Sequence, residues 1–260
     1  MSPETRRLLV RLADRYETSA FLEGDPSVFM HRVKGDANRE ATAFVASALS
    51  FGSRPQFLRR VDELLDLADN DMDRWIRTGA FARDFAADDS RCFYRFFTRA
   101  TMNRFFEAYR QLMDGFGTLG GYVRKEAGGD AYKAVAAICR WFADHDGGGV
   151  IPKDATSACK RVCMFLRWMV RKDSPVDIGL WADIIDRRTL TIPLDTHVVQ
   201  EAVALGLLKS PCASMCAARR LTAALEEAFP DDPCRGDFAL FGYGVDKSSK
   251  EDTDEIACKG

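Results

Sequence analysis

The fold of this chain turns on Ser157-Ala158-Cys159-Lys160-Arg161-Val162-Cys163-Met164-Phe165-Leu166-Arg167-Trp168-Met169-Val170-Arg171-Lys172, and on Ile192-Pro193-Leu194-Asp195-Thr196-His197-Val198-Val199 downstream of it. The first stretch has a helical period. With Lys160 at the origin of a helical wheel, Met164, Arg167 and Arg171 return to within about 40° of it. Val162, Cys163, Phe165, Leu166, Met169 and Val170 fill the other faces, which predicts a helix buried on most sides with one narrow basic line. In the second stretch, Pro193 stiffens the approach and biases Ile192 toward an extended conformation. Asp195 is then set to cap a helix carrying Val198, Val199 and Ala202.

Outward from these two segments, almost every periodic stretch is helical. Leu8, Leu9, Leu12 and Tyr16 form the stripe of a first helix. Residues 22–37, with Gly24, Pro26 and Gly35, read as loop. Asn38 is placed to cap a helix through Leu49. Phe51-Gly52-Ser53-Arg54-Pro55 breaks that helix and opens the next, which carries Phe57, Leu58, Val61, Leu64 and Leu65. The aromatic run Phe93, Tyr94, Phe96 and Phe97 reads as helical together with Met102 to Met113. Further helices are expected over 130–143, near 178–185, over 196–207 and over 212–229, with a start at Asp237. No βαβ alternation and no phosphate-cradling glycine motif is present. The prediction is an all-α protein with a bundle over 38–140, a second helical unit from 1–37 plus 141–245, and a polar, disordered tail over 246–260.

Composition narrows the function. Apolar residues are 47% of the 260, enough for a large core. The net charge of -2 argues against coating nucleic acid by bulk charge, but not against a local basic groove. No run is apolar enough to cross a membrane, and Met1-Ser2-Pro3-Glu4-Thr5 does not open a signal peptide; a cytoplasmic location is the expectation. Eight cysteines and three histidines lack metal-ligand spacing, so the cysteines read as unpaired, mostly buried groups and no metal or other cofactor is expected.

Two residues have chemistry beyond packing. From Lys153 to Lys172 there are six basic residues against one acidic, Asp154. Such focusing suits a phosphate backbone, with Lys153, Arg161, Arg167, Arg171 and Lys172 as candidate DNA contacts; ordinary snorkelling side chains are the bland alternative. Lys160 lies near the helix start, where the dipole disfavours added positive charge. Nucleophilic attack requires a neutral amine. Asp195 is either an inert cap or a fixed negative charge beneath a developing sugar cation. His197 is expected to support the Asp195 turn.

Pro193-Leu194-Asp195-Thr196-His197-Val198 resembles the aspartate turn of the helix-hairpin-helix DNA glycosylase superfamily. With Phe165-Leu166-Arg167-Trp168-Met169-Val170-Arg171 and Asp237-Phe238-Ala239-Leu240-Phe241-Gly242, the chain also looks like an uncharacterised bacterial family, over residues 1 to about 245. The superfamily resemblance implies two helical subdomains around a central cleft, with a lysine that attacks the sugar C1′ and an aspartate beside it; Lys160 and Asp195 match those places. The usual glycine hairpin is missing, and Val150-Ile151-Pro152-Lys153 stands before the lysine helix instead. The 35 positions from Lys160 to Asp195 resemble the archaeal 8-oxoguanine glycosylase branch. The four-cysteine cluster motif is absent. The implied activity is a DNA glycosylase with coupled AP lyase chemistry on 8-oxoguanine in double-stranded DNA, acting as a monomer, associated with the nucleoid during repair. Trp168, Trp181 and Phe241 are candidate walls of the base pocket. A non-catalytic helical DNA-binding protein and another nucleic-acid-directed activity are the competing readings.

Overall fold

A computed structural model describes the backbone of residues 1–257 and the side chains of residues 1–247. Among the described residues the chain is all-α apart from one short hairpin. Its helices are α1 (Pro3–Tyr16), α2 (Val28–Arg32), α3 (Asp36–Leu49), α4 (Arg54–Leu67), α5 (Met72–Arg77), α6 (Arg99–Phe116), α7 (Leu119–Ala127), α8 (Ala131–Asp144), α9 (Lys160–Val170), α10 (Thr196–Ala204), α11 (Met215–Leu225) and α12 (Gly236–Ala257). The hairpin pairs β1 (Cys92–Tyr94) with β2 (Phe97–Thr98).

Local chemistry sets many of the helix starts. Ser2, Thr98, Thr118, Asp130, Asp195 and Ser214 each accept a hydrogen bond from a first-turn backbone N–H, filling donors a helix leaves orphaned. α3 is the central strut, buried on nearly every residue from Asn38 to Leu49, and it packs against α2, α4, α5 and α9. α6, α7 and α8 extend this lobe. α1, α10 and α12 pack together as a second lobe. The α1–α12 contact is close: a Cβ on Gly242 would overlap the Tyr16 ring. α9 is the seam. It packs on α3 and α8, while its arginines reach carboxylates of the second lobe.

Several local expectations are corrected. Asn38 is not a cap, because Gly35 at φ +84° starts the helix earlier. One turn in, the Asn38 amide donates to Asn70 O at 2.8 Å and accepts from Met72 N at 2.9 Å, tying α3 to the start of α5. The loop expected over 22–37 contains α2. Phe93, Tyr94 and Phe97 lie in the hairpin, where their rings bury against Phe85 and Phe51. Residues 178–185 form turns instead of a helix. There the N–H groups of Ile178 and Gly179 bond Trp168 O, and that of Trp181 bonds Met169 O. The segment thus satisfies carbonyls that end α9.

The expected tail is also different. α12 continues through Ala257, and its early part is anchored: Tyr16 Oη donates to Asp246 at 2.7 Å and Lys247 pairs with Glu201 at 3.3 Å. Residues 258–260, with Cys258, lie outside the described residues. Cys139, Cys159, Cys163 and Cys234 are buried, whereas Cys92, Cys212 and Cys216 are at the surface. Among the described residues no helix is long and apolar enough to cross a membrane.

Candidate active site

α9 begins at Lys160, with Cys159 before it held at φ +44°. That start directs Lys160 toward the first turn of α10. Lys160 Nζ donates to Asp195 Oδ2 at 2.5 Å, and the other oxygen, Oδ1, accepts from His197 N at 3.0 Å. Asp195 is therefore both cap and ion-pair partner. Burial pushes its pKa up, but the charge and hydrogen bond of Lys160 and the His197 N–H outweigh this and hold it below the ordinary carboxylate value. The carboxylate is ionised at neutral pH.

The pair lines a cavity of about 690 Å³. Phe21, Phe51, Phe57, Met164 and Phe241 supply apolar wall; Asp25, Arg54, Arg167 and Asp237 supply charge. The walls come from the segment before α2, the α3–α4 loop, α9, the Asp195 turn and α12. The volume falls within the roughly 300–1,000 Å³ of small-molecule sites. Asp237, also on the cavity lining, is buried within reach of the Asp195 charge. Burial raises its pKa to about 6, Arg167 pulls the other way, and the Asp195 charge adds to the rise. Asp25 is occupied locally, accepting from Ser27 N at 2.9 Å and Ser27 Oγ at 2.6 Å.

Of the six basic candidates on and around α9, the structure brings one, Lys160, to the cavity in an accessible position, with its side chain 34% exposed. Arg167 also borders the cavity, but it is buried in bonds to Asp177, at 3.2 Å, and Asp237. Arg171 is buried among Glu17 at 2.6 Å, Asp232 at 2.8 Å and Asp177. Burial opposes its charge, but Asp177, Asp232 and Glu17 raise its pKa above the ordinary value. Arg161 donates to Ala48 O and lies 4.9 Å over the Phe51 ring; burial lowers its pKa to about 10. Arg167 and Arg171 are interior, so they are corrected from DNA contacts to structural groups, whereas Arg161 is half-buried with its guanidinium engaged inside the protein. Lys153 and Lys172 remain exposed.

The proposed base-pocket residues divide. Phe241 lines the cavity, with the Arg54 guanidinium 5.5 Å over its ring. Trp168 is fully buried in the core away from the cavity lining. Trp181 is buried too, donating to Glu40 Oε2 at 2.8 Å beside a separate shallow depression. Both tryptophans are corrected to core residues. His197 borders the cavity and supports the turn through its backbone N–H, not its ring: Nδ1 has no partner among the described residues, and the ring lies edge-on to Phe241 at 6.1 Å. Phe21, Asp25, Phe51, Arg54 and Asp237 carry no site assignment from the sequence, although the glycine break at Gly52 marked the loop that bears two of them.

Residues 25–246 match the family described as a protein of unknown function, DUF2400. The chain belongs to that family. No curated protein and no solved structure matches it. The match to this DUF2400 family includes Lys160, Asp195 and all the cavity-lining residues except Phe21.

Proposed function

We propose that this protein is a DNA glycosylase with coupled AP lyase activity that removes an oxidised base, with 8-oxoguanine the first to test. On this reading the two lobes are subdomains of the helix-hairpin-helix glycosylase type and the cavity is their cleft. The observation that carries the proposal is the Lys160–Asp195 pair, an amine and a carboxylate at 2.5 Å on the wall of an aromatic cavity. The partner is double-stranded DNA with a damaged base turned out of the stack, since an amine on the wall of a cavity cannot reach C1′ within a duplex. The protein acts as a monomer, needs no cofactor, and works on the nucleoid.

The chemistry follows from the pair. As the bond from C1′ to the base breaks, the Asp195 carboxylate stabilises positive charge on the sugar. The Lys160 ammonium gives a proton to the departing base. The amine left behind attacks C1′ and forms the N–C1′ bond. The ammonium so formed passes a proton to O4′ as the C1′–O4′ bond breaks, which opens the sugar ring to a protonated Schiff base, and removal of a C2′ proton then expels the 3′ phosphate.

A second reading draws on the same contacts. Asp195 already caps α10, so Lys160 and Asp195 could serve as a structural bridge in a non-catalytic DNA-binding protein. Incubation with duplexes carrying a panel of lesions separates the two. Release of a free base supports the enzyme; salt-sensitive duplex binding without release from any lesion supports the binding module. Release only from RNA or another nucleic acid would support the third reading.

A further inference from the structure

Phe96 is 72% exposed, by far the most exposed large apolar side chain among the described residues. It stands at the tip of the β1–β2 hairpin, and the hairpin is fixed to the cavity rim. Tyr94 Oη donates to Phe51 O, and the Tyr94, Phe96 and Phe97 rings lie 5.0, 5.4 and 5.3 Å from the Phe51 ring. Phe51 itself lines the cavity and is held from behind by Arg161. Next to Phe96, Arg95 adopts φ +53°, a conformation that side-chain-bearing residues rarely take. Its side chain lies over Gly52 of the rim, where a Cβ would come 2.8 Å from Nη1. Neither Arg95 nor Arg54 has a carboxylate partner among the described residues, unlike Arg91 and Arg99 at the base of the same hairpin. The rim therefore joins an exposed ring on an aromatic support to two guanidinium groups without a carboxylate partner among the described residues.

We propose that the Arg95–Phe96 tip is a nucleobase-stacking contact, with Phe96 packing on the base left without its stacking neighbour when a nucleotide enters the cavity and Arg95 and Arg54 holding the adjoining phosphates. The inference rests on reading the cavity as a nucleotide site. An exposed ring suits a base because every base has a π-face, and stacking adds to the charge attraction of the rim. A solvent-facing phenyl ring backed by Phe51 and Phe97 and flanked by guanidinium groups offers the apolar face and the positive charge that an unstacked nucleotide requires.

The test uses Phe96→Trp and Phe96→Ala in the full chain with a duplex containing a tetrahydrofuran abasic-site analogue, which binds without any base to excise. Tryptophan emission from Phe96→Trp, corrected for wild type, should be quenched on binding. Phe96→Ala should bind this duplex roughly tenfold or more weakly, with a smaller loss on intact duplex. Binding of Phe96→Trp, followed by anisotropy of labelled duplex, without quenching would overturn the proposal. So would equal affinity of Phe96→Ala and wild type, or no binding of the abasic duplex by the wild type. Quenching without base release by the wild type would leave the stacking contact standing and remove the glycosylase reading. Normal base release without quenching would do the reverse.

Discussion

Lys160 Nζ meets Asp195 Oδ2 at 2.5 Å although the two lie 35 positions apart in the chain. The contact closes the seam between the two lobes, because Lys160 opens α9 and Asp195 opens α10. It also sets one cation and one anion on the wall of a single aromatic cavity. A reacting sugar lodged there would face both groups at once.

The two roles of Asp195 respond differently to Asp195→Asn. Asparagine caps a helix almost as well as aspartate, and the lost pairing with a partly exposed lysine costs only about 1 kcal/mol. The variant should stay folded and bind duplex. Single-turnover base release should fall roughly 100-fold or more, because the charge opposite the sugar is gone. Near-equal rates at matched folded fraction would reduce Asp195 to a cap.

Arg171→Met probes the interior arginines. Arg171 holds Glu17, Asp177 and Asp232, and its loss leaves buried carboxylates without their cation. The expected cost is about 3–5 kcal/mol in chemical denaturation. The salt dependence of duplex binding by the folded fraction should not change. A stable variant with a shallower salt dependence would return Arg171 to the DNA-contacting surface.

The basic line on the α9 wheel was readable from the sequence, and Lys160, Met164 and Arg167 do share one side of the cavity. What the wheel could not supply was what faces that line. Glu17, Asp177, Asp232 and Asp237 arrive from four other segments, and they turn two arginines into interior ion pairs. Trp168 looked like a stacking group by residue type, yet its place on the wheel faces the core. The all-helical class and the Asp195 cap followed from period and local chemistry. The hairpin did not, because adjacent aromatic residues have no period and their burial depends on Phe85 and on Phe51, which is far away in sequence.

Phe241 and Trp168 offer a paired comparison. Phe241→Ala removes a cavity wall, so KM for lesion duplex should rise about tenfold if the ring contacts the base. Trp168→Phe alters a buried ring outside the cavity lining. It should lower stability while leaving excision per folded molecule unchanged. The opposite pattern in steady-state kinetics would exchange their roles.

Glu40 predicts a pH dependence of stability. It is a buried residue of α3 that faces the start of α7, accepting from Leu119 N at 2.8 Å and Gly120 N at 3.2 Å there and from Trp181 Nε1 at 2.8 Å. Burial raises its pKa from 4.5 to about 7, against the pull of these donors. A raised folded pKa means that its contribution is fully present below 4.5 and is lost as pH rises through about 7. That loss is of order 3 kcal/mol. Glu40→Gln lacks this titration, so thermal unfolding should show the wild type losing ground to the variant across that window. A constant difference in Tm would contradict the assignment.

The most direct test of the central claim is borohydride trapping on duplex DNA containing 8-oxoguanine. The account predicts a covalent adduct between the wild-type protein and DNA that is absent with Lys160→Ala, while that variant still binds the duplex. Persistence of the adduct in Lys160→Ala, or no adduct from a wild-type protein that releases the base, would contradict the assignment of Lys160 as the nucleophile.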